Sequence, residues 1–168
     1  DVFGLRLCSE DGKKTMTSYI NDHPKMQAGG LTNIRLGVEL GMTFLKQRAF
    51  QNPVTAVMLL TDGQGGAPDA ATQTRWEAEV GAVPIHCFGF GANHDARTLA
   101  NISDRAHGSF TFDENINTVG GAFATCLGGV LSVTAQQVVM KIQAEVPWAT
   151  IHQVHTTYPV SISSNGKE

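Results

Sequence analysis

The sequence predicts an α/β fold, with a doubly wound and mostly parallel sheet that carries helices on both faces. Short apolar runs of strand length alternate along the chain with longer segments of helical periodicity, as expected for such a sheet. The apolar runs contain few polar residues, which is typical of parallel strands covered on both faces. With 42% hydrophobic and 16% charged residues, the composition favours a packed core over disorder.

Five segments are predicted to form helices, at residues 9–21, 33–48, 69–80, 95–106 and 115–131. Ser9 is a suitable N-cap for the first helix, and Glu10 and Asp11 lie at the positive end of its dipole, which carboxylates stabilise. The second helix carries two apolar stripes, so we expect it to be buried on most of its sides. These stripes are Ile34, Val38, Gly41 and Leu45, and Leu36, Leu40 and Phe44.

Three apolar runs are predicted to be buried strands, at residues 54–61, 83–90 and 108–112. From Val138 to Ala144 apolar residues alternate with mainly polar ones, a period of two that is typical of a half-buried strand. Residues 151–162, rich in Val, Ile and Thr, are also strand-like. We therefore predict a partial α/β domain at residues 1–132, followed by the start of a β-rich, sandwich-like module at 133–168.

Charge and composition argue against two classes of partner. The net charge is −3 and no basic stripe is present, so nucleic-acid binding is not expected, and no apolar run approaches the ~18 residues of a membrane span. Cys8, Cys87 and Cys126 lie in apolar stretches, which favours buried thiols of a reducing compartment over one disulfide and an unpaired cysteine. Because no signal peptide opens the sequence, we expect a cytoplasmic protein.

Two loops hold the candidate metal ligands. Thr32 lies in a loop that opens a predicted helix, and Asp62 follows a predicted strand. Open α/β sheets bind ligands beyond the carboxyl ends of their strands, where a converging hydroxyl and carboxylate can hold a hard cation such as Mg²⁺. The alternative is that Thr32 is an N-cap and Asp62 a turn former. The neighbours predicted to contact a protein partner are Asn33, Gly63, Gln64 and Gly65.

The sequences of these two loops, Gly-Gly-Leu-Thr-Asn-Ile and Leu-Leu-Thr-Asp-Gly, resemble the von Willebrand factor A (vWA) domain. The resemblance continues through residues 83–91, 94–95, 108–112 and 122–133. It is closest to a subgroup in which a β-rich module follows the vWA domain. This subgroup includes plant RING-finger ubiquitin-ligase proteins and, more distantly, inter-α-trypsin inhibitor heavy chains.

The resemblance implies a metal-ion-dependent adhesion site in which an upstream Asp-x-Ser-x-Ser loop, a Thr and an Asp hold a divalent cation. Thr32 and Asp62 match that Thr and Asp. No Asp-x-Ser-x-Ser precedes Thr32 here, and the family's first strand, which lies centrally in the sheet, is missing with it. We expect either an excerpt of a longer chain or a neighbouring chain that supplies the strand. Two protein ligands alone would hold a cation weakly.

The predicted function is a protein–protein interaction module of vWA type within a larger complex, and not an enzyme. One alternative is the substrate-binding region of a RING-type ubiquitin ligase, although three scattered cysteines do not form a RING zinc pattern. Another is a metal-free structural scaffold subunit. The Gly-rich residues 62–66 lack the Lys-Ser/Thr of a phosphate loop. His86 is expected to be a core residue, and His94-Asp95 to cap a helix.

Overall fold

The computed structural model of the chain describes residues 4–22, 29–66, 68–91, 93–136, 138–156 and 158–161. The chain consists of two compact units, Asp1–Val133 and Thr134–Glu168. All helices and strands found in the described residues belong to the first unit. No helix within these ranges has the length and apolar character required to cross a bilayer.

Helices and strands alternate through the first unit as predicted. In order they are α1 (Glu10–Asp22), α2 (Ile34–Gln47), β1 (Val57–Thr61), α3 (Ala70–Val80), β2 (Ile85–Phe90), α4 (Ala96–Arg105), β3 (Phe110–Asp113) and α5 (Ile116–Leu131). All three strands begin later than predicted. For the first two the ladder starts where Val57 donates its N–H to the Pro84 carbonyl at 2.8 Å. Residues 54–56 lie before this first pairing.

The three strands form a parallel sheet in the order β1-β2-β3. Val57 pairs with Ile85, and Cys87 pairs with Phe110. Each crossover runs through one helix, α3 between the first two strands and α4 between the last two, as parallel neighbours require. In the described ranges no strand precedes α1, and β1 lies at an edge of the sheet.

Helices cover both faces of the sheet. The main core lies on one face, where Ile85 and Cys87 of β2 meet side chains from α2, α3 and α4. Those side chains are Ile34, Val38, Met42, Trp76, Leu99 and Ile102. Because successive residues of a strand point to opposite faces, Phe88 faces the other side, where its ring centroid lies 4.3 Å from that of Phe123 on α5. The doubly wound α/β class predicted from the sequence is therefore confirmed.

Only one of the two apolar stripes of α2 is covered within the described residues. Ile34 and Val38 are buried, whereas Leu36 is 59% exposed and Leu40 is 38% exposed. The expectation of burial on most sides was wrong for the outer stripe. The reason is that α2 packs over edge strand β1 and beside α3, so no element of the described chain covers its other side.

The start of α1 follows the sequence prediction. The Ser9 hydroxyl accepts a hydrogen bond from the Gly12 N–H at 3.1 Å, as an N-cap does. No residue of α1 is buried. The sequence predicts that His23-Pro24 ends this helix, and these two residues lie outside those that the structure describes.

In the second unit, the described residues 134–136, 138–156 and 158–161 contain no helix or strand. The strand predicted from Val138 to Ala144 is therefore wrong for these residues, and so is the one over the described part of 151–162. A period-two pattern gives a segment two chemically different faces, but a strand also needs a neighbour to pair with its backbone groups. The β-rich character of the module at 133–168 stays a prediction.

Candidate metal-binding site

The turn after β1 carries Asp62 at the carboxyl end of the sheet. Thr61, the last residue of the strand, is buried, and its hydroxyl accepts the N–H of Gly63 at 3.2 Å. This hydrogen bond folds the turn over the end of the strand and leaves Asp62 exposed. No described residue donates a hydrogen bond to the Asp62 carboxylate, so its oxygens are available to a ligand.

Thr32 lies against this turn, in the exposed loop that precedes α2. A Cβ atom placed on Gly63 would collide with the Thr32 hydroxyl and would lie 3.1 Å from the Thr32 Cβ. The structure therefore brings the loop of Thr32 into contact with the residue that follows Asp62. This contact places the two predicted ligands in adjoining loops.

The cap of α2 tests one of the two interpretations of Thr32, that it is the N-cap. The Asn33 side chain, not that of Thr32, accepts the N–H of Leu36, at 2.9 Å. The alternative that Thr32 serves as the N-cap is therefore wrong, and its hydroxyl is not required for the helix. Asn33 was predicted to contact a partner. Its side-chain oxygen is occupied by the cap, and a partner contact through its remaining atoms stays a prediction.

The other residues predicted to contact a partner lie along the loop after β1. A Cβ on Gly65 would approach Ile34 Cγ1 to 2.9 Å, so Gly65 packs closely on the start of α2. Gln64 is exposed. The loop thus contacts Thr32, before α2, at Gly63 and the start of α2 at Gly65, and Gln64 is exposed between them.

A third loop, which follows β2, also contacts the turn at Gly63. The Asp95 N–H donates to the Gly63 carbonyl at 3.4 Å. The Asp95 side chain caps α4 by accepting hydrogen bonds from the Thr98 hydroxyl at 2.6 Å and the Thr98 N–H at 3.0 Å, and these bonds lower the pKa of Asp95. Capping by Asp95 was predicted, but the link to Gly63 was not, because no sequence pattern signals a hydrogen bond between two loops.

His94 is also held structurally. Its Nδ1 lies 2.7 Å from the Gly91 carbonyl, to which it donates, and its ring stacks on Phe112 with centroids 4.7 Å apart. Against Gly89 the ring fits so closely that a Cβ there would lie 2.5 Å from His94 Cδ2. These contacts fix the loop that precedes α4.

The aspartates of neighbouring loops are engaged where Asp62 is not. The Asp69 carboxylate accepts the Thr72 N–H at 2.7 Å, and Asp113 accepts the Thr118 hydroxyl at 2.5 Å and the Asn115 N–H at 3.1 Å. The hydrogen bonds from Thr72 and from Thr118, respectively, lower the pKa of these two carboxyls. Both carboxylates therefore stabilise helix starts and turns. The Asp62 carboxylate accepts no such hydrogen bond from the described residues.

The two candidate ligands fit a hard cation in chemical type. A hydroxyl and a carboxylate are oxygen donors, which Mg²⁺ prefers, whereas structural zinc is bound mainly through Cys and His. The described residues contain no group of three or more His, Cys, Asp or Glu side chains that could hold a metal ion. Thr32 and Asp62 together offer two oxygen donors, so water or additional oxygens would have to complete the coordination of a cation bound there.

The remaining candidate residues are His86 and the three cysteines. His86 is half-buried and lies outside the core cluster, so the expectation of a core residue was wrong. Its Nδ1 lies 2.9 Å from the Ser109 hydroxyl, and burial lowers the pKa of His86. All three cysteines are free. Burial raises the pKa of Cys87 to about 12 and also raises that of Cys126. Cys87 is buried, Cys126 is half-buried and Cys8 is exposed. The prediction of three buried thiols was therefore wrong for Cys8, because Cys8 lies in a segment without strand or helix.

The family assignment follows from the sequence of this sheet and its loops. The model of the von Willebrand factor type A domain matches residues 2–124. The chain belongs to the vWA family. This assignment and the parallel sheet with helices on both faces agree, and they confirm the resemblance seen in the sequence.

Two solved structures resemble the chain at low sequence identity. A von Willebrand factor type A structure from Catenulispora acidiphila superposes with a TM-score of 0.63 at 16% identity, over 76% of this chain and 29% of that one. Proximal thread matrix protein 1 from the mussel byssus, whose MIDAS motif is occupied by zinc, gives a TM-score of 0.48 at 21% identity, over 68% and 30% of the two chains. The first likeness shows the vWA fold.

A curated relative of this vWA chain is E3 ubiquitin-protein ligase WAV3 of Arabidopsis thaliana. The two are 25% identical over 147 residues, which is 83% of this chain and 17% of the ligase. The vWA chain therefore spans less than a fifth of that protein's length.

Proposed function

We propose that the chain is a protein-interaction module with a binding site at Thr32 and Asp62, beyond the carboxyl ends of the strands. This site binds a divalent cation and, through it, a carboxylate of a partner protein. The observation that carries the proposal is the exposed Asp62 carboxylate, without a hydrogen bond from the described residues, in a turn that contacts Thr32. The family assignment supports it, because vWA domains are generally interaction modules. No reaction is proposed for the chain.

The chain's own residues hold the two oxygen donors in place. Thr32 is kept against Gly63 by close packing, and Gly63 is held by hydrogen bonds to Thr61 and Asp95. A bound Mg²⁺ ion would supply positive charge for an incoming carboxylate. With two protein ligands most coordination positions are left to other oxygens, so we expect weak binding by the chain alone. Asn33, Gly63, Gln64 and Gly65 would then border the partner.

A thermal unfolding titration with Mg²⁺ tests the cation site. A ligand that binds only the folded state raises stability with its concentration, by about 2.7 kcal/mol at 100 times Kd. The Tm of the unaltered chain should therefore rise with Mg²⁺, and Asp62→Asn should abolish the rise. Thr32→Val, which keeps the shape of the side chain but removes the hydroxyl, should weaken it.

Matched controls for charge and hydroxyl loss lie elsewhere on the surface. Asp104→Asn removes an exposed carboxylate on α4, and Thr43→Val removes an exposed hydroxyl on α2. Both should respond to Mg²⁺ like the unaltered chain. If the Tm of the unaltered chain does not change with Mg²⁺ concentration, the result would argue instead for a metal-free scaffold. If the Tm of Asp62→Asn rises with Mg²⁺ as much as that of the unaltered chain, the cation binds at another place on the chain.

A second candidate function is the substrate-binding region of a RING-type ubiquitin ligase, favoured by the likeness to WAV3. Such a region binds the protein to be modified but does not itself release ubiquitin from a charged conjugating enzyme. The chain alone should leave the charged enzyme intact and should capture proteins that the full-length ligase modifies. Ubiquitin release by the chain alone, or no capture of those proteins, would count against this assignment.

A further inference from the structure

We infer that Gly63 is a positioning residue, whose missing side chain sets where the Thr32 hydroxyl lies relative to the turn of Asp62. The inference rests on the proposed function of that site. It gives Gly63 a role distinct from contact with a partner, because it concerns the interior contact between two loops of this chain.

The need for glycine at this position is steric. A Cβ on Gly63 would overlap the Thr32 hydroxyl and would also lie 3.1 Å from Thr32 Cβ and 3.4 Å from its Cγ2. Gly63 does not have a positive φ angle, so its backbone conformation is one that other residues adopt easily. Space for Thr32 is therefore what the glycine supplies.

The backbone of Gly63 is tied on both sides, so it cannot easily yield to an added side chain. Its N–H donates to the hydroxyl of buried Thr61 at 3.2 Å, and its carbonyl accepts the Asp95 N–H at 3.4 Å. The second bond connects the turn to the start of α4. An added methyl group would accordingly displace Thr32, which lies in an exposed loop, more readily than the turn itself.

Displacement of Thr32 would change the position of its hydroxyl relative to the turn that carries Asp62, while leaving both proposed ligands in the sequence. Changes to residues that orient metal ligands commonly reduce metal affinity about 10- to 100-fold. We expect Gly63→Ala to weaken Mg²⁺ binding within this range. Gly66→Ala is the matched control, because it adds the same methyl group in the same loop where no atom lies within 4 Å.

The test is a double-mutant cycle on the full 168-residue chain, measured by unfolding without metal and by Mg²⁺ titration. Gly63→Ala should lower Tm by several degrees, and Gly66→Ala should leave it nearly unchanged. In the Thr32→Ala background, which lacks the overlapping hydroxyl, the effect of Gly63→Ala should shrink. If Gly63→Ala alone does not fold, recovery of folding in the double variant supports the inference, and failure of the double variant overturns it.

The outcomes separate the positioning role from the cation site. An equal loss of stability from Gly63→Ala with and without Thr32→Ala would overturn the positioning role, because the cycle then shows no coupling between the residues. Coupling without any Mg²⁺ response in the unaltered chain would support the positioning role and overturn the proposed cation site. A further outcome is coupling between Gly63 and Thr32 while Gly63→Ala keeps the Mg²⁺ affinity of the unaltered chain. That result would overturn the claim that cation binding depends on where the Thr32 hydroxyl lies relative to the turn of Asp62.

Discussion

β2 lies between two parallel neighbours, whereas the segment from Val138 to Gln143 has no strand beside it in the described part of the chain. Both are rich in apolar residues. Cys87 and Phe88 of β2 are buried, but Val139 and Met140 are 80% and 81% exposed. An apolar pattern therefore gives a segment a surface that can be buried. Whether the segment becomes a strand depends on backbone pairing with a neighbouring strand and on a helix that covers it.

The largest effect should come from the core beneath β2. Leu99 on α4 is fully buried in the core cluster that includes Ile85 and Cys87. Leu99→Ala removes buried apolar atoms and leaves a cavity, so we expect a loss of about 2–5 kcal/mol in the free energy of unfolding. Urea denaturation followed by circular dichroism measures it. A loss below about 1 kcal/mol would mean that β2 owes its structure to something other than this packing.

A local interaction should have an intermediate effect. The Asn33 side chain caps α2 through the Leu36 N–H, and loss of an N-cap costs about 0.5–2 kcal/mol. Asn33→Ala should lower the free energy of unfolding by roughly 1 kcal/mol, and Asn33→Asp should retain most of it. The same urea titrations compare the variants. Equal losses in the Ala and Asp variants would show that the cap is not the source of the effect.

The smallest effect should come from the segment without a partner. Val139→Ser changes an exposed side chain, and we expect a change within about 0.5 kcal/mol. Hydrogen exchange gives a second measure, because the amides of residues 138–143 should exchange far faster than those of β2. Slow exchange in that segment, or a stability loss like that of Leu99→Ala, would remove the contrast between the two regions.

The predicted fold depended on features that are local in the sequence. Continuous apolar runs marked β1 and β2, and the caps Ser9 and Asp95 marked helix starts, because each signal lies within a few residues. The outer stripe of α2, with Leu36 and Leu40, was misjudged since periodicity does not tell which neighbours exist to cover a surface. The exposure of Cys8 was missed because an apolar stretch does not show whether a strand or helix will form there.

The candidate site was predictable only in part. Thr32 and Asp62 could be singled out from loop position and from the vWA resemblance, and the structure places their loops in contact at Gly63. That Asn33 rather than Thr32 caps α2 could not be decided between two adjacent residues that both suit an N-cap. The bond from Asp95 to Gly63 joins loops of different strands, so it follows only from the folded chain.

The position of β1 at the rim of the sheet affects how the molecule should be handled in solution. One side of the strand Val57–Thr61 pairs with β2, and no described strand pairs with the other. Its sequence, VMLLT, contains neither a charged residue nor a proline, the residues that usually discourage unwanted strand addition. Concentrated samples should therefore be prone to self-association through this strand, and a lysine introduced there is a direct means of improving their solubility.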